Sequence, residues 1–579
     1  VKLPIAEFWL LLRQYLLPQG SRVAWMSLFL LLGIGLQVLN PQIARRFVDA
    51  TQNATDSSNL TLLAVLFIVA ALVSSGFRAL AAYVSNEVAW RATNALRADL
   101  AAHSLNLGMG FHKSRPPGEM IERIDGDVNA LSGFFSSFVV SLGGNFLLLT
   151  GVLIALTIQD WRLGAAFTVY AVFGVILLTL TSRFANAWQQ EREKAAQFYG
   201  FMGEVLNATE DIRGNGATAW TMRRMKLEMR DLFKVRFSAN LKGSVVWGAS
   251  TMFWVLADAL TYGFGSSLYR EGVLSLGAVY MLMHYAWMVA QPIENFRQQM
   301  QELQRAEASI ARVRELFEFT PSIQSGTLEL PNAPRGLTVN LEKVSFAYED
   351  NVPVLENISL QLEAGSILGL LGRTGSGKTT LARLLFRFYD PQNGLIKIGG
   401  NDLKKYRLES FRTGIALVTQ DVQLFQASLR DNLTFFDTTI SDTRLLEALQ
   451  TLGLSDWYAA LPNGLETALT ADSLSSGEAQ LVALSRAFLR DPKLIILDEA
   501  SARLDPATES RLEMALDKLL ENRTAIIIAH RLKTVERATH ILVLQQGQIL
   551  EFGKRQDLAN NPSSSFAELR RVGLEQVLV

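Results

Sequence analysis

Six long apolar stretches crowd the first half of this 579-residue chain, and they constrain its fold more than any other feature. They run over Val23–Leu39, Leu60–Phe77, Phe134–Ile158, Leu163–Leu180, Val245–Phe264 and Leu276–Ala290. A helix needs about 20 mostly apolar residues to cross a bilayer, and these stretches meet or approach that length. Several carry Gly and Ser, which let packed membrane helices approach closely. A large soluble protein rarely buries six such runs with so few charges. The reading is therefore a bundle of six membrane spans.

Basic residues orient the bundle. The segment from Arg91 to Arg123 has five Lys or Arg, and that from Arg183 to Lys242 has eleven. The opposite loops hold almost none. Both long basic segments and the N-terminus are thus expected in the cytoplasm of a cell bounded by an inner or plasma membrane. Residues 1–20 read as an interfacial elbow helix, with Pro4–Leu17 amphipathic; no small-residue cleavage site follows, so it is not a signal peptide. The long segments read as spans 2 to 5 continuing into the cytoplasm, joined by turns at Phe111–Glu119 and Asn207–Gly216. Asp258 and His284 fall near mid-membrane, where ionisable groups are costly and face a cavity or a partner.

The second half reads as a soluble α/β enzyme. With 55 basic and 55 acidic residues the net charge is zero, so bulk charge does not point to nucleic acid. The chain has no cysteine, which excludes disulfides and thiolate chemistry, and its five histidines lack metal-ligand spacing. A turn-rich linker over 320–336 separates a membrane domain (21–319) from a second domain (337–579).

Within that domain Ser366–Leu371 is a buried strand leading into Gly372-Arg-Thr-Gly-Ser-Gly-Lys-Thr379, and a helix follows. Strand, GxxxxGK[ST], helix is the context that makes this phosphate-binding loop specific. Backbone N–H groups of Gly372, Arg373, Thr374, Gly375, Ser376 and Gly377, with the helix start at Lys378–Thr380, are expected to cradle phosphates. Lys378 reaches the outer phosphates and Thr379 ligates Mg²⁺. A second strand, Leu494–Leu497, ends in Asp498-Glu499: Asp498 is placed to hold Mg²⁺ or its water, and Glu499 to orient the attacking water. A third strand, Ala525–Ala529, delivers His530 to the same sheet edge, within reach of the γ-phosphate. The expected ligands are ATP and Mg²⁺.

With those residues in hand, the whole chain resembles an ABC exporter half-transporter: an α-helical transmembrane domain of six spans fused to an α/β P-loop ATPase. The resemblance implies further roles. Tyr348, in Val344-Ser-Phe-Ala-Tyr348, is similar to the aromatic residue that stacks on adenine. Gln420, in Leu417-Val-Thr-Gln420, is similar to the glutamine that touches Mg²⁺ and senses the membrane domain. Glu499 takes the part of catalytic base and His530 that of the switch histidine. The two cytoplasmic turns take the part of coupling helices.

The resemblance also implies a head-to-tail dimer of ATPase domains, in which each ATP lies between one chain's phosphate loop and the other chain's signature. Here the chain departs from the family. Leu474-Ser-Ser-Gly-Glu478 stands for Leu-Ser-Gly-Gly-Gln, so Ser475, Ser476, Gly477 and Glu478 form an altered signature. Arg503 interrupts the usual Ser-Ala-Leu-Asp at Ala502–Asp505. Thr467–Ser473 is shorter than the family's pre-signature segment and lacks its Gly-Glu-x-Gly, which bears on its contact with the coupling helices. Everything acting on this chain's own nucleotide is intact; the changes lie on surfaces offered to a partner. The expectation is a heterodimer with unequal ATP sites that exports a hydrophobic or amphipathic drug, lipid or peptide. The alternatives are a homodimeric exporter, a lipid flippase and a non-transporting ATP-gated regulator. Direction rests on fold analogy, since some relatives import.

Overall fold

The computed structural model describes residues 13–52, 57–133, 136, 139–182, 184–349, 352–470, 473–498, 506–529 and 532–572. The amphipathic stretch before Arg13 lies outside the described residues. So do Glu499, His530 and the Ala502–Asp505 loop. The chain forms two compact units: Val1–Leu105 with Pro117–Phe319, and Asn106–Pro116 with Thr320–Val579. The first turn between spans therefore groups with the second unit rather than with the helices that flank it.

The first unit is helical. Its long helices are α1 (Gly20–Gln52), α2 (Ser57–Asn106), α3 (Val139–Gln159), α4 (Trp161–Ser182), α5 (Ala185–Asn207), α6 (Thr218–Arg270) and α7 (Leu276–Glu318). Among the described residues five helices are long and apolar enough to cross a membrane. α7, which carries the sixth expected span, is not among them. Its apolar part ends within about four turns, and a charged stretch follows it on the same helix. At 1.5 Å per residue α6 is about 80 Å long, more than twice the hydrocarbon thickness. Its first half is accordingly charged and its second half apolar.

The core of this unit gathers where α3, α4, α6 and α7 meet, around Leu156, Phe167, Phe253, Met281 and Tyr285. Tyr170 stacks on Phe253 with ring centroids 4.3 Å apart and donates its hydroxyl to the Phe253 carbonyl at 3.0 Å. The start of α7 is fixed from α1: Asp49 accepts from Ser275 Oγ at 2.8 Å and from Gly277 N at 2.9 Å. A carboxylate there satisfies orphan N–H groups and suits the positive end of the helix dipole. A second clamp ties the far end of α7, where the buried Asp127 carboxylate accepts from Ser309 Oγ at 3.0 Å and from the Arg312 guanidinium.

The second unit is α/β. Strands β1 (Val339–Ala347), β2 (Pro353–Leu362) and β4 (Asn393–Ile398) pair antiparallel in a small sheet with order β2-β1-β4, extended by a two-residue strand. The main sheet uses β3 (Ile367–Leu371), β5 (Ile415–Val418), β6 (Leu494–Asp498), β7 (Thr524–Ile528), β8 (His540–Gln545) and β9 (Gln548–Lys554). Its order is β9-β8-β3-β7-β6-β5, parallel except for the edge pair β8 and β9. The four strands from β3 to β5 are continuous apolar runs because helices cover both faces of a parallel sheet. Two apolar cores result, one on each face, around Leu370, Leu381 and Ile496 and around Leu481, Ile495 and Ile527.

Candidate nucleotide site

Parallel strands end on one edge, and ligands of open α/β sheets bind outside those carboxyl ends. β3, β5, β6 and β7 all deliver loops there. Register fixes the alignment: Asp498 at the end of β6 lies opposite Ile528 of β7, Ile528 lies opposite Leu370 of β3, and Val418 of β5 lies opposite Leu497. The phosphate loop, Gln420 and Asp498 thereby come to one edge. Glu499 and His530, expected at this edge from the sequence, lie outside the described residues.

The loop from Gly372 to Gly377 opens α8 (Lys378–Leu385). Gly377 has φ of 105°, a conformation for glycine, and a Cβ there would stand 2.6 Å from Leu355 Cδ2. Lys378 folds back over the loop. Its Nζ donates to the carbonyls of Gly372 at 2.6 Å and Arg373 at 3.0 Å. Burial pushes the Lys378 ammonium below its ordinary value, and the nearby Asp498 carboxylate opposes that shift. The amine is thus a buried cation held by neutral carbonyls, a poor match that an anionic phosphate would improve.

One further observation tests whether the loop suits phosphate. Ser376 is 4% exposed, and its Oγ has no hydrogen-bond partner. A buried hydroxyl without a partner costs stability unless a ligand supplies one. The cradle therefore fits a phosphate group. The same edge fits Mg²⁺: Thr379 Oγ1 stands 3.4 Å from Asp498 Oδ2, two hard oxygen donors side by side. Gln420 is exposed two residues beyond β5.

Tyr348 is half-buried beside α8. Its hydroxyl lies 3.2 Å from Thr380 Oγ1 and accepts from Arg383 at 3.1 Å. Phe346 and Tyr389 hold the ring edge-on, with centroids 5.0 and 5.2 Å away. Lys113, in the Asn106–Pro116 segment of the same unit, sits 4.5 Å from the Tyr348 ring centroid. Sequence reasoning missed Thr380 and Arg383 as supports of this ring, and no spacing signal connects them.

The altered signature opens α9 (Ser476–Leu489), with Ser475 as its N-cap. Ser475 and Ser476 are exposed, and Gly477 is buried. The Glu478 carboxylate turns back on the cap. It accepts from Ser475 N at 2.9 Å, from Ser475 Oγ at 2.8 Å and from Trp457 Nε1 at 3.1 Å. Ser475 Oγ in turn accepts from Glu478 N at 3.3 Å, which closes a capping box. Burial works against the charge on Glu478. The bonds from Ser475 and Trp457 outweigh it and hold the carboxyl below the ordinary glutamate value. Trp457 is a partner that sequence reasoning missed. Ala471 and Asp472 of the pre-signature stretch lie outside the described residues, while Leu469 just before them is buried and pairs with Ala427.

Known proteins match both units. Residues 24–293 match the ABC transporter transmembrane region, and residues 355–502 match the ABC transporter family. The chain is 30% identical to a "Probable multidrug resistance ABC transporter ATP-binding/permease protein" of Bacillus subtilis, over 82% of this chain and 71% of that one. It is 29% identical to an ATP-dependent lipid A-core flippase of Alcanivorax borkumensis, over 90% of each chain. A solved bacterial Atm1-family ABC exporter with ATP bound superposes with a TM-score of 0.76 at 25% identity, covering 96% of this chain and 98% of that one.

Proposed function

The chain belongs to the ABC transporter family, and from that membership we propose that it is one half of an exporter for hydrophobic or amphipathic cargo. Its ATPase domain hydrolyses ATP to drive transport through the helical membrane region. The observation that carries the reading is the phosphate cradle: a buried lysine, an unsatisfied Ser376 hydroxyl and the Thr379–Asp498 pair on one sheet edge. Relatives that act on drugs and on lipid A-core favour amphipathic cargo. The membrane is an inner or plasma membrane, with the N-terminus and the ATPase domain in the cytoplasm.

In the proposed cycle the loop N–H groups and Lys378 bind the phosphates of ATP, and Tyr348 stacks on adenine. Thr379, Asp498 and Gln420 would hold Mg²⁺, which supplies positive charge against the charge that develops on the transferred phosphoryl group. Glu499 orients the attacking water, and His530 contacts the γ-phosphate as it leaves. Binding closes the ATPase dimer, and the coupling turns carry that motion into the spans.

The assembly is proposed to be a heterodimer with unequal sites. The signature supports this more specifically than its spelling does. Ser475 has two donors, its N–H and its hydroxyl, that a partner's γ-phosphate would use. Glu478 accepts from both. The carboxylate therefore fills the anion position at the start of α9 from within the chain, and Ser476 adds an exposed side chain beside it. A lost phosphate donor costs several kcal/mol at a phosphoryl-transfer site, or orders of magnitude in rate. The site that uses this signature is slow, and the site that uses this chain's own phosphate loop carries the turnover.

The test is Glu499→Gln in the purified assembly, read as steady phosphate release. A fall of at least a hundredfold is expected. Turnover at the wild-type rate would show that Glu499 is not the base or that the other site does the work. Vigorous ATPase from this chain alone would favour the homodimer.

A further inference from the structure

We propose that Lys113 is a built-in competitor of the adenine base. Its ammonium covers the face of Tyr348 that the base would take, so a bound base must displace it. The inference adds a residue to the nucleotide site, and it rests on the reading of Tyr348 as the adenine platform. Lys113 lies in Asn106–Pro116, the segment that belongs to the same compact unit as the phosphate loop. Its Nζ stands 4.5 Å from the centroid of the Tyr348 ring, within the range over which a ring face attracts a cation.

The backbone brings the lysine there. Met109–Ser114 is a short helix, and Gly110 and Lys113 share one side of it at a spacing of three. Gly110 faces Tyr389: a Cβ built on it would stand 3.8 Å from Tyr389 Cε1. The Tyr389 ring in turn meets Tyr348 edge to face at 5.2 Å. The helix therefore rests on one aromatic ring through its glycine and reaches the next through its lysine.

The ring is fixed, and the lysine is free to leave. Thr380 and Arg383 hold the Tyr348 hydroxyl, and Phe346 and Tyr389 meet the ring at 86°. Neither lies parallel to it. Lys113 is exposed, and among the described residues no hydrogen bond or salt bridge holds its ammonium. Tyr348 packs against the core of its unit, so an exposed ammonium covers the solvent side of the ring, from which a base arrives. A base and an ammonium cannot share one face. The group that yields is the lysine. Losing the ring contact and regaining water weakens base binding about two- to fivefold. A ligand without a base leaves Lys113 in place. The segment that follows α2 therefore responds to the base of a nucleotide separately from its phosphates.

The test is calorimetric titration of the purified full chain in detergent. One ligand is adenylyl imidodiphosphate, which resists hydrolysis, and the other is inorganic tripolyphosphate, which has no base. Lys113 is exposed, so its substitution spares the fold. Lys113→Ala should tighten the nucleotide about two- to fivefold relative to tripolyphosphate. Lys113→Arg keeps a cation for the ring and should restore the wild-type ratio. An unchanged ratio in Lys113→Ala overturns the proposal, because an equal shift for both ligands marks an effect of charge on phosphate. A nucleotide that weakens relative to tripolyphosphate overturns it too, since Lys113 would then support the base. Tyr348→Ala separates this proposal from the reading beneath it. That variant should weaken the nucleotide and leave tripolyphosphate unchanged. If the nucleotide is also unchanged, Tyr348 is not the adenine platform. If it weakens while Lys113→Ala has no effect, the platform stands and the competitor falls.

Discussion

Two helix N-termini in the ATPase unit are built in opposite ways. α8 begins in a glycine loop with an unsatisfied hydroxyl on Ser376 and a buried ammonium on Lys378. α9 begins with Ser475, whose donors are already taken by Glu478 of the same helix. Both ends have the dipole and free N–H groups that attract an anion. The first depends on an outside phosphate to complete it. The second brings its own carboxylate. A helix start becomes a ligand site only when the chain leaves its donors unsatisfied, and this chain does so on one surface and not on the other.

The comparison breaks first at Lys378. Lys378→Ala removes the cation of the α8 site and should lower steady ATPase at least a hundredfold, the usual loss when one stabilising group leaves a phosphoryl-transfer site. Phosphate release from the purified assembly measures it. Residual activity above a tenth of wild type would mean that most turnover occurs elsewhere, and the contrast between the two ends would lose its meaning.

A smaller and opposite effect is expected at α9. Ser476→Gly with Glu478→Gln restores the family spelling and removes the internal carboxylate. If the self-capped signature limits one site, ATPase of the assembly should rise several-fold. An unchanged rate would show that the second site tolerates the cap, and the unequal-site reading would fall with it.

Much of this was legible in the sequence. The phosphate loop is legible because its glycines and lysine are fixed by backbone geometry and charge at short range. Asp498 is legible because a buried strand ends on it. The spans are legible because bilayer thickness imposes a length, although α7 blurs this: Tyr280, His284 and Gln291 lower the apolarity of its short hydrophobic part, and a charged stretch follows on the same helix. The meaning of Glu478 was less legible. Its spelling shows only that a glutamate stands where the family has glutamine, and the structure turns that carboxylate onto Ser475 and Trp457. Ser475-x-x-Glu478 is itself a capping-box pattern, so half of the answer was in the string. Trp457 was not, since its contact with Glu478 spans 21 residues and depends on how the helices pack.

The smallest effect is the most specific to the cap. Glu478 has a carboxyl pKa held below the ordinary glutamate value in the folded chain. The unfolded chain therefore binds a proton first as pH falls. The stabilisation by the charged cap is complete above the unfolded value, about 4.3, and is lost as pH drops through the lower folded value. A cap of this kind is worth about 1 kcal/mol, which corresponds to about 2–4 °C in a unit of 150–250 residues. Glu478→Gln keeps a capping side chain but cannot titrate. The melting temperature of the wild-type chain should exceed that of the variant near pH 7, and the gap should close as pH falls below about 4.3. A gap that stays constant with pH would mean that Glu478 acts by shape rather than charge, and α9 would then be as open to an outside anion as α8.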